Sequence, residues 1–185
     1  MIETNNLQKK DIAQSLSSLL LLAENGKNLQ TATFAAGCIW GVEEEFRKIK
    51  GVKSTIVGYT GVWLEHPTYK QVCTDRTGHA EAIQIKYDPS EVSYGDLLEL
   101  FWSIHNPTTK NRQGFDYRTQ YRSAIFYHTP QQQEIARKSK EELEKSEQFK
   151  NKKIVTEVVP ASTFYKAEEY HQKYYQKRGG SSCYI

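Results

Sequence analysis

The sequence has few cysteines and no long apolar segment. Its three cysteines, Cys38, Cys73 and Cys183, lie far apart. They are too few for a disulfide scaffold and lack the paired spacing of a zinc site. We therefore expect a reducing compartment, the cytoplasm, and neither a metal nor another cofactor. The longest apolar stretch, from Leu19 to Ala23, is far too short to cross a membrane.

A large excess of charge of one sign is also absent. Lys and Arg number 25 against 22 Asp and Glu, which gives a net charge of +3. Tight binding to phosphate groups requires a concentrated basic face, but the basic residues between positions 137 and 153 are interleaved with acids. We therefore expect no nucleic-acid or membrane partner. An aromatic content of 12% instead indicates a globular protein.

The first thirty residues differ in pattern from the rest of the chain. Two lysines followed by an apolar stretch at 12–23 resemble a weak secretory signal, but polar residues interrupt the stretch and no small-residue cleavage site follows. The apolar residues have the spacing of one helical stripe, namely Leu7, Ile12, Leu16, Leu19, Leu20 and Ala23. We predict a helical extension over residues 1–30, docked on a domain formed by residues 31–185.

After residue 30, strand patterns alternate with helix patterns. Strands are predicted at 31–35, 52–59, 80–87, 121–128 and 154–159, and helices at 39–49, 93–105, 130–149 and 166–174. A Gly-rich loop follows position 59, and a long polar loop covers 106–118. This order predicts the α+β class, as a two-layer α/β sandwich with a mixed sheet, a ferredoxin-like core and extra helices.

Cys38 is a candidate nucleophile because it lies between a predicted strand and a predicted helix. The unpaired N–H groups at the start of a helix stabilise a thiolate, so we expect a lowered pKa and a reactive sulfur. Gly37 and Gly41 flank the segment and would let the backbone turn sharply. Most lone cysteines, however, are small buried apolar side chains, and position alone does not separate the two interpretations.

Glu81 falls on the apolar face of the predicted strand at 79–87, together with Ile83 and Ile85. Burial would raise the pKa of its carboxyl group and let it act as an acid near neutral pH. Its side chain could instead reach solvent or pair with an arginine.

Cys183 lies two residues from the end of the chain and follows an Arg-Gly-Gly-Ser-Ser segment. Five flexible residues span roughly 15 Å, which suits a thiol that must travel to another sulfur. An idle exposed cysteine is the alternative.

Six segments carry a resemblance to a known family. They are GCIWGVE at 37–43, VGYTG at 57–61, PTY at 67–69, TGHAEA at 77–82, QGFDYRTQYRS at 113–123 and FYKAEEYHQ at 164–172. In this order they resemble the A-type peptide-methionine sulfoxide reductases over 31–185. The resemblance implies a catalytic domain that reduces the S epimer of methionine sulfoxide, free or in proteins, and that ends in a tail with a resolving cysteine.

The resemblance also implies a role for each matching residue. Cys38 would attack the sulfoxide sulfur, and Glu81 would protonate the departing oxygen. Tyr69 and Tyr121 would donate hydrogen bonds to that oxygen.

Three further residues would shape the substrate site. Ile39 and Trp40 would form the apolar pocket for the S-methyl group, and Asp116 would order the site through hydrogen bonds. Ile39 stands where the family usually has Phe, which we expect to affect affinity more than chemistry.

The same resemblance implies how Cys38 is oxidised and then returned to its reduced form. Cys38 would become a sulfenic acid, and Cys183, rather than Cys73, would condense with it to form a disulfide. A dithiol carrier, thioredoxin, would then reduce that disulfide.

Two alternatives belong to other functional classes. A papain-like cysteine protease would use Cys38 with His171, which lies 133 residues downstream, but the signature residues before the cysteine are missing. A non-enzymatic thiol redox sensor would use Cys38 and Cys183, but it leaves Glu81 and the two tyrosines without a role.

Overall fold

The computed structural model describes residues 28–61 and 64–180. The predicted N-terminal extension and Cys183 lie outside these residues. The described chain forms strands β1 Gln30–Ala36, β2 Val52–Thr60, β3 Ala80–Tyr87, β4 Arg112–Gln113, β5 Asp116–Tyr117, β6 Ser123–Tyr127, β7 Glu157–Pro160 and β8 Phe164–Lys166. Its α-helices are α1 Ile39–Arg47, α2 Tyr69–Val72, α3 Tyr94–Ser103, α4 Pro130–Lys145 and α5 Tyr174–Arg178, and Thr119–Tyr121 is a 3₁₀ turn.

Six strands form one sheet in the order β7-β6-β1-β3-β2-β8. Neighbouring strands are antiparallel except β6 and β7, which are parallel. Strands β4 and β5 form a separate small hairpin. The predicted mixed α/β architecture is therefore confirmed, with β1 and β3 at the centre of the sheet.

The main core lies between the sheet and helices α1 and α3. Phe34 of β1 is fully buried, and its ring stacks on Phe46, Tyr94 and Phe101 at centroid distances of 5.3, 5.9 and 5.2 Å. A smaller cluster covers the opposite face of the central strands, where Ala35, Ala82 and Phe126 pack together. Because both faces are covered, a polar side chain on a central strand is removed from water.

Most predicted elements appear within a few residues of the predicted bounds, but the C-terminal part was predicted wrongly. The predicted helix at 166–174 is absent, because Phe164–Lys166 pairs as β8 with β2 and a helix begins only at Tyr174. The strand predicted at 154–159 is consequently not the last one. The polar loop predicted at 106–118 contains the hairpin β4–β5. The Gly-rich loop is followed by α2, and a capping box formed by Thr68 and Gln71 stabilises the start of this helix.

Gln172 attaches the chain that follows β8 to β2. Its side-chain oxygen accepts the N–H of Val57 at 3.0 Å, and its amide nitrogen donates to the carbonyl oxygens of Val57 and Ala167 at 2.8 and 2.9 Å. The side chain therefore supplies hydrogen bonds to the edge of β2 beyond the end of the short strand β8. Such a long-range bond is absent from any local sequence pattern.

We expect Gln172→Leu to lower the free energy of unfolding by about 2 kcal/mol, because it removes the partner of the Val57 N–H and of the Ala167 carbonyl. Urea denaturation measures the change, with the exposed Gln148→Leu as the control. A loss no larger than that of the control would contradict this role for Gln172.

Candidate active site

Cys38 lies in the turn between β1 and α1. Gly37 before it has φ +96°, and a Cβ atom at that position would come within 2.7 Å of the Gln113 side chain. Glycine is therefore required both by the backbone conformation and by the close approach of the neighbouring hairpin. Cys38 itself is extended and immediately precedes the helix, so the backbone N–H groups of Trp40 and Gly41 face its sulfur.

The environment of Cys38 raises the pKa of its thiol to about 12, mainly through burial and then through the charge of Glu81. The two helix N–H groups lower it by less. The predicted net lowering of this pKa is therefore wrong, because removal of the thiolate from water outweighs the helix terminus. The resting sulfur carries a proton, which must leave during any nucleophilic attack.

Glu81 is buried on β3, with 2% of its surface exposed. One carboxylate oxygen accepts the backbone N–H of Ile39 at 3.2 Å, and the other accepts the side-chain amide of Gln120 at 2.9 Å. Burial raises the pKa of this carboxyl group to about 7, although the two donors lower it in part. The carboxyl group can therefore act as an acid near neutral pH. It is hydrogen-bonded to Ile39, the residue that follows Cys38.

Tyr69 and Tyr121 present hydroxyl groups at the same place. Tyr69 is the first residue of α2, and its backbone N–H donates to Glu168 at 2.9 Å. Tyr121 ends the 3₁₀ turn before β6. Burial raises the pKa of both phenols. The hydrogen bond to the Cys73 side chain is the next cause for Tyr69, and the charge of Glu81 contributes at both residues. Both hydroxyls therefore keep their protons and remain hydrogen-bond donors.

These side chains meet in one small cleft of about 220 Å³, which has room for a single substrate side chain. Its lining consists of Cys38, Ile39, Trp40, Tyr69, Glu81, Asp116, Tyr121 and His171. The structure thus brings together seven of the eight site residues that the resemblance implies. The eighth, Cys183, lies outside the described residues.

Cys73 lies next to this cleft without lining it. The cysteine is half-buried at the C-terminal end of α2, and its sulfur is 3.6 Å from the side-chain nitrogen of Gln120.

His171 and Tyr174 hold the indole of Trp40 and were not predicted to do so. The indole N–H donates to Nδ1 of His171 at 2.8 Å, and the indole stacks on the Tyr174 ring at 3.8 Å and 3°. Because an indole nitrogen only donates, Nδ1 must be an acceptor, and the proton of neutral His171 is on Nε2. Burial lowers the pKa of His171, which favours this neutral form.

The roles of two buried polar side chains that support the site were also not predicted. Gln120 holds the carboxyl group of Glu81, as described above. Glu43 accepts the Thr55 hydroxyl at 2.8 Å and the backbone N–H of Lys173 at 2.6 Å. It thereby joins α1 and β2 to the residue that precedes α5. The segments GCIWGVE and TQY contain both residues, but local pattern alone does not show which distant groups they bind.

Two features are absent from residues 28–61 and 64–180. No group of three or more His, Cys, Asp or Glu side chains there is arranged to hold a metal ion. No helix in this part of the chain is long and apolar enough to span a membrane.

Comparisons with known proteins converge on one family. The family model described as peptide methionine sulfoxide reductase matches residues 30–185. The peptide methionine sulfoxide reductase MsrA of Methanosarcina acetivorans is 56% identical over 178 residues, covering 96% of this chain and 94% of that protein.

Solved structures agree with the sequence matches. Methionine sulfoxide reductase A of Corynebacterium diphtheriae superposes with a TM-score of 0.78 at 37% identity, over 84% of this chain and 77% of that chain. Mxr1 from Saccharomyces cerevisiae in complex with Trx2 superposes with a TM-score of 0.55 at 29% identity, over 79% of this chain and 84% of that chain.

We expect Glu81→Gln to stabilise the fold more at about pH 8 than at about pH 5. The pKa of Glu81 is raised from 4.5 to about 7, so the folded state keeps a proton that the unfolded state has already released. The wild-type protein therefore loses stability as the pH rises from 4.5 through 7.

Glutamine has no charge to bury, and its relative stability should increase by about 2 kcal/mol between the two pH values. Urea unfolding at both values measures this change, with the exposed Glu65→Gln as the control. A variant whose relative stability is the same at both values would contradict the raised pKa.

Proposed function

The chain belongs to the peptide methionine sulfoxide reductase family, and we propose that the cleft around Cys38 is where it reduces the S epimer of methionine sulfoxide. The enzyme uses thiols as its source of electrons, and thioredoxin is its protein partner. One observation carries the assignment to this cleft. A thiol, a carboxyl group with a pKa of about 7 and two phenol donors line a space the size of one side chain.

The oxygen of a sulfoxide leaves only when it is protonated, and Glu81 is the proposed proton donor. A carboxyl group with a pKa of about 7 is both populated as the acid and strong enough to give up its proton at neutral pH. The hydroxyls of Tyr69 and Tyr121 donate hydrogen bonds to the same oxygen and stabilise the charge that develops as the S–O bond breaks.

The first half-reaction balances without an added group. Glu81 gives its proton to the sulfoxide oxygen, and the sulfur of Cys38 attacks the substrate sulfur. The carboxylate that Glu81 has become then takes the proton of the Cys38 thiol. An S–S bond to Cys38 forms as the S–O bond breaks, and Glu81 passes on this second proton so that the oxygen leaves as water. Water then attacks the sulfur of Cys38 and gives a proton back to Glu81, while the S–S bond breaks with its electron pair on the substrate sulfur. The substrate sulfur has thus gained two electrons and leaves as methionine, while the sulfur of Cys38 has lost two and is a sulfenic acid. The high pKa of the free thiol suits this order, because the proton leaves only when Glu81 can accept it.

The S-methyl group is assigned to the apolar side of the cleft. Ile39 and the indole of Trp40 line it, and the contacts to His171 and Tyr174 fix the indole plane. Asp116 lies at the mouth of the cleft, where we assign it the ordering of the site through hydrogen bonds. Ile39 supplies a branched apolar surface in place of an aromatic ring.

Cys183 is the proposed resolving residue. Its thiol attacks the sulfenic acid of Cys38, releases water and forms a disulfide, which the dithiol of thioredoxin then reduces. The anchoring of the preceding segment supports this step. Tyr174 stacks directly on Trp40, and α5 ends at Arg178. Five further residues, at about 3.3 Å each, give the tail roughly 16 Å of reach.

The two alternatives fit these contacts less well. A papain-like protease needs a histidine that takes the proton of the thiol, whereas Nδ1 of His171 is bound to the indole of Trp40. A redox sensor needs no buried acid and no pair of phenol donors beside its cysteine.

Three further assignments rest on the fold and the cysteines. We assign the sheet core to the ferredoxin-like class, because β1, α1, β2, β3, α3 and β6 occur in this order along the chain and their strands are arranged as β6-β1-β3-β2. Helix α2 and the hairpin β4–β5 are insertions into this core. We assign residues 1–30 to an extension and 31–185 to the catalytic domain. The cytoplasm is the proposed location, because Cys38 and its dithiol donor must both be kept reduced.

We expect Cys38→Ser to abolish the release of methionine from methionine (S)-sulfoxide, because no other thiol lines the described cleft. Cys183→Ser should release one equivalent of methionine and then stall with thioredoxin. Chromatographic quantification of methionine after single and multiple turnovers separates the two variants, with Cys73→Ser as the matched control. Retained activity in Cys38→Ser would refute the assignment, and a Cys38–Cys73 disulfide after turnover would identify a different resolving residue.

The first-turnover rate should depend on pH through Glu81. We expect it to decline as the pH rises through about 7, because the acid is then lost. Glu81→Gln should slow this step about 10²-fold or more near pH 6, and the deficit should shrink towards pH 8. Rapid-quench measurement of methionine release in a Cys183→Ser background isolates this step. A variant with an unchanged rate near pH 6 would remove Glu81 from the role of acid.

A further inference from the structure

The hairpin β4–β5 carries two exposed aromatic rings beside the catalytic cleft. Its turn consists of Gly114 and Phe115, and Gly114 has φ +56°, as a two-residue hairpin turn requires. Phe115 at the tip is 80% exposed, and Tyr117 is 58% exposed. Exposed apolar rings that lie together beside an active site indicate a surface that is covered when a partner binds.

The hairpin is held in place by its own contacts. The side chain of Gln113 packs against Gly37 and hydrogen-bonds to the backbone N–H and carbonyl of Asn106 at 2.9 and 3.2 Å. The guanidinium of Arg112 lies 4.2 Å from the Tyr117 ring centre, and its Nε donates to the carbonyl of Gly114 at 2.8 Å. The rings are therefore presented on a support that is fixed to the loop of the nucleophile.

A second cleft of about 400 Å³ lies between this hairpin and the C-terminal end of α2. Phe115, Tyr117, Arg118, Gln120 and Cys73 line it, and it shares Asp116 and Tyr121 with the catalytic cleft. The two clefts are therefore adjacent, with Asp116 and Tyr121 between them. Because the catalytic cleft holds one side chain, the neighbouring residues of a polypeptide substrate must lie outside it, and this second cleft is next to it.

We propose that the second cleft binds the residue beside methionine sulfoxide in a polypeptide substrate, with a preference for an apolar side chain. The inference rests on the proposed function of the catalytic cleft and adds a substrate preference to it. Contact with Phe115 and Tyr117 removes apolar surface of the flanking residue and of both rings from water. Partial burial of one leucine-sized side chain favours binding by roughly tenfold.

Two blocked pentapeptides that differ only in the residues flanking methionine (S)-sulfoxide test the proposal. One carries leucine on both sides and the other carries serine, and N-acetyl-methionine sulfoxide serves as the substrate without flanking residues. Dithiothreitol is the reductant, so the assay needs neither thioredoxin nor the C-terminal tail. The readout is the ratio of kcat/KM for the leucine peptide to that for the serine peptide.

The wild-type enzyme should give a ratio of roughly ten, and the double variant Phe115→Ser, Tyr117→Ser should bring it to about one. Phe115→Leu should retain most of the preference, because leucine is also apolar. The matched control is Leu29→Ser, a 39% exposed residue that immediately precedes β1. The length of that strand, roughly 20 Å, separates it from the loop of Cys38.

A wild-type ratio near one, or a ratio that the double variant leaves unchanged, would overturn the proposal. Equal losses by the double variant on both peptides and on N-acetyl-methionine sulfoxide would also overturn it, since the hairpin would then act on the catalytic cleft alone. If no substrate is reduced at all, the proposed function fails. If every substrate is reduced without preference, the proposed function stands and only the proposal for the second cleft fails.

Discussion

The hydrogen bond between the buried carboxyl group of Glu81 and the backbone N–H of Ile39 joins the centre of the sheet to the loop of Cys38. A carboxylate on a central strand is costly to bury, and the raised pKa of Glu81 is the measure of that cost. The same burial that disfavours the charged carboxylate makes the group a usable acid at neutral pH. In the proposed reaction, therefore, one unfavourable feature of the fold supplies the proton that the sulfoxide oxygen needs.

The aromatic contacts around Trp40 connect the substrate site to the C-terminal segment. The indole N–H is bound by His171, and its face is covered by Tyr174 at the start of α5. Glu43 fixes the residue before that helix through the backbone N–H of Lys173. The segment that leads to the tail is thus attached to the helix that begins beside Cys38. A resolving thiol attached after this segment would be tethered close to Cys38, which reduces the loss of chain entropy when the disulfide forms.

Patterns within one segment were sufficient for part of the fold and part of the site. The alternation of apolar residues in β3 correctly predicts that Glu81 faces the core. The helix predicted to start at 93 corresponds to α3, which Ser93 caps. Partners that are distant in sequence were not predictable in this way. Gln172 binds Val57, 115 positions away in the sequence, and Gln120 reaches Glu81 from the 3₁₀ turn. The direction of the pKa shift of Cys38 was predicted wrongly. The position of Cys38 at a helix terminus can be inferred from the sequence, whereas the burial of its sulfur cannot.

Glu81 is assigned as an acid with a pKa near neutrality, and direct titration of its carboxyl group tests this assignment. Infrared difference spectra of the carboxyl stretch, recorded between about pH 4 and 9 for the wild type and for Glu81→Gln, isolate the signal of this one side chain. We expect a carboxyl band that titrates with a pKa of about 7 and that is missing from the variant. A Glu81 band that titrates near the ordinary value of 4.5 would contradict this role of Glu81.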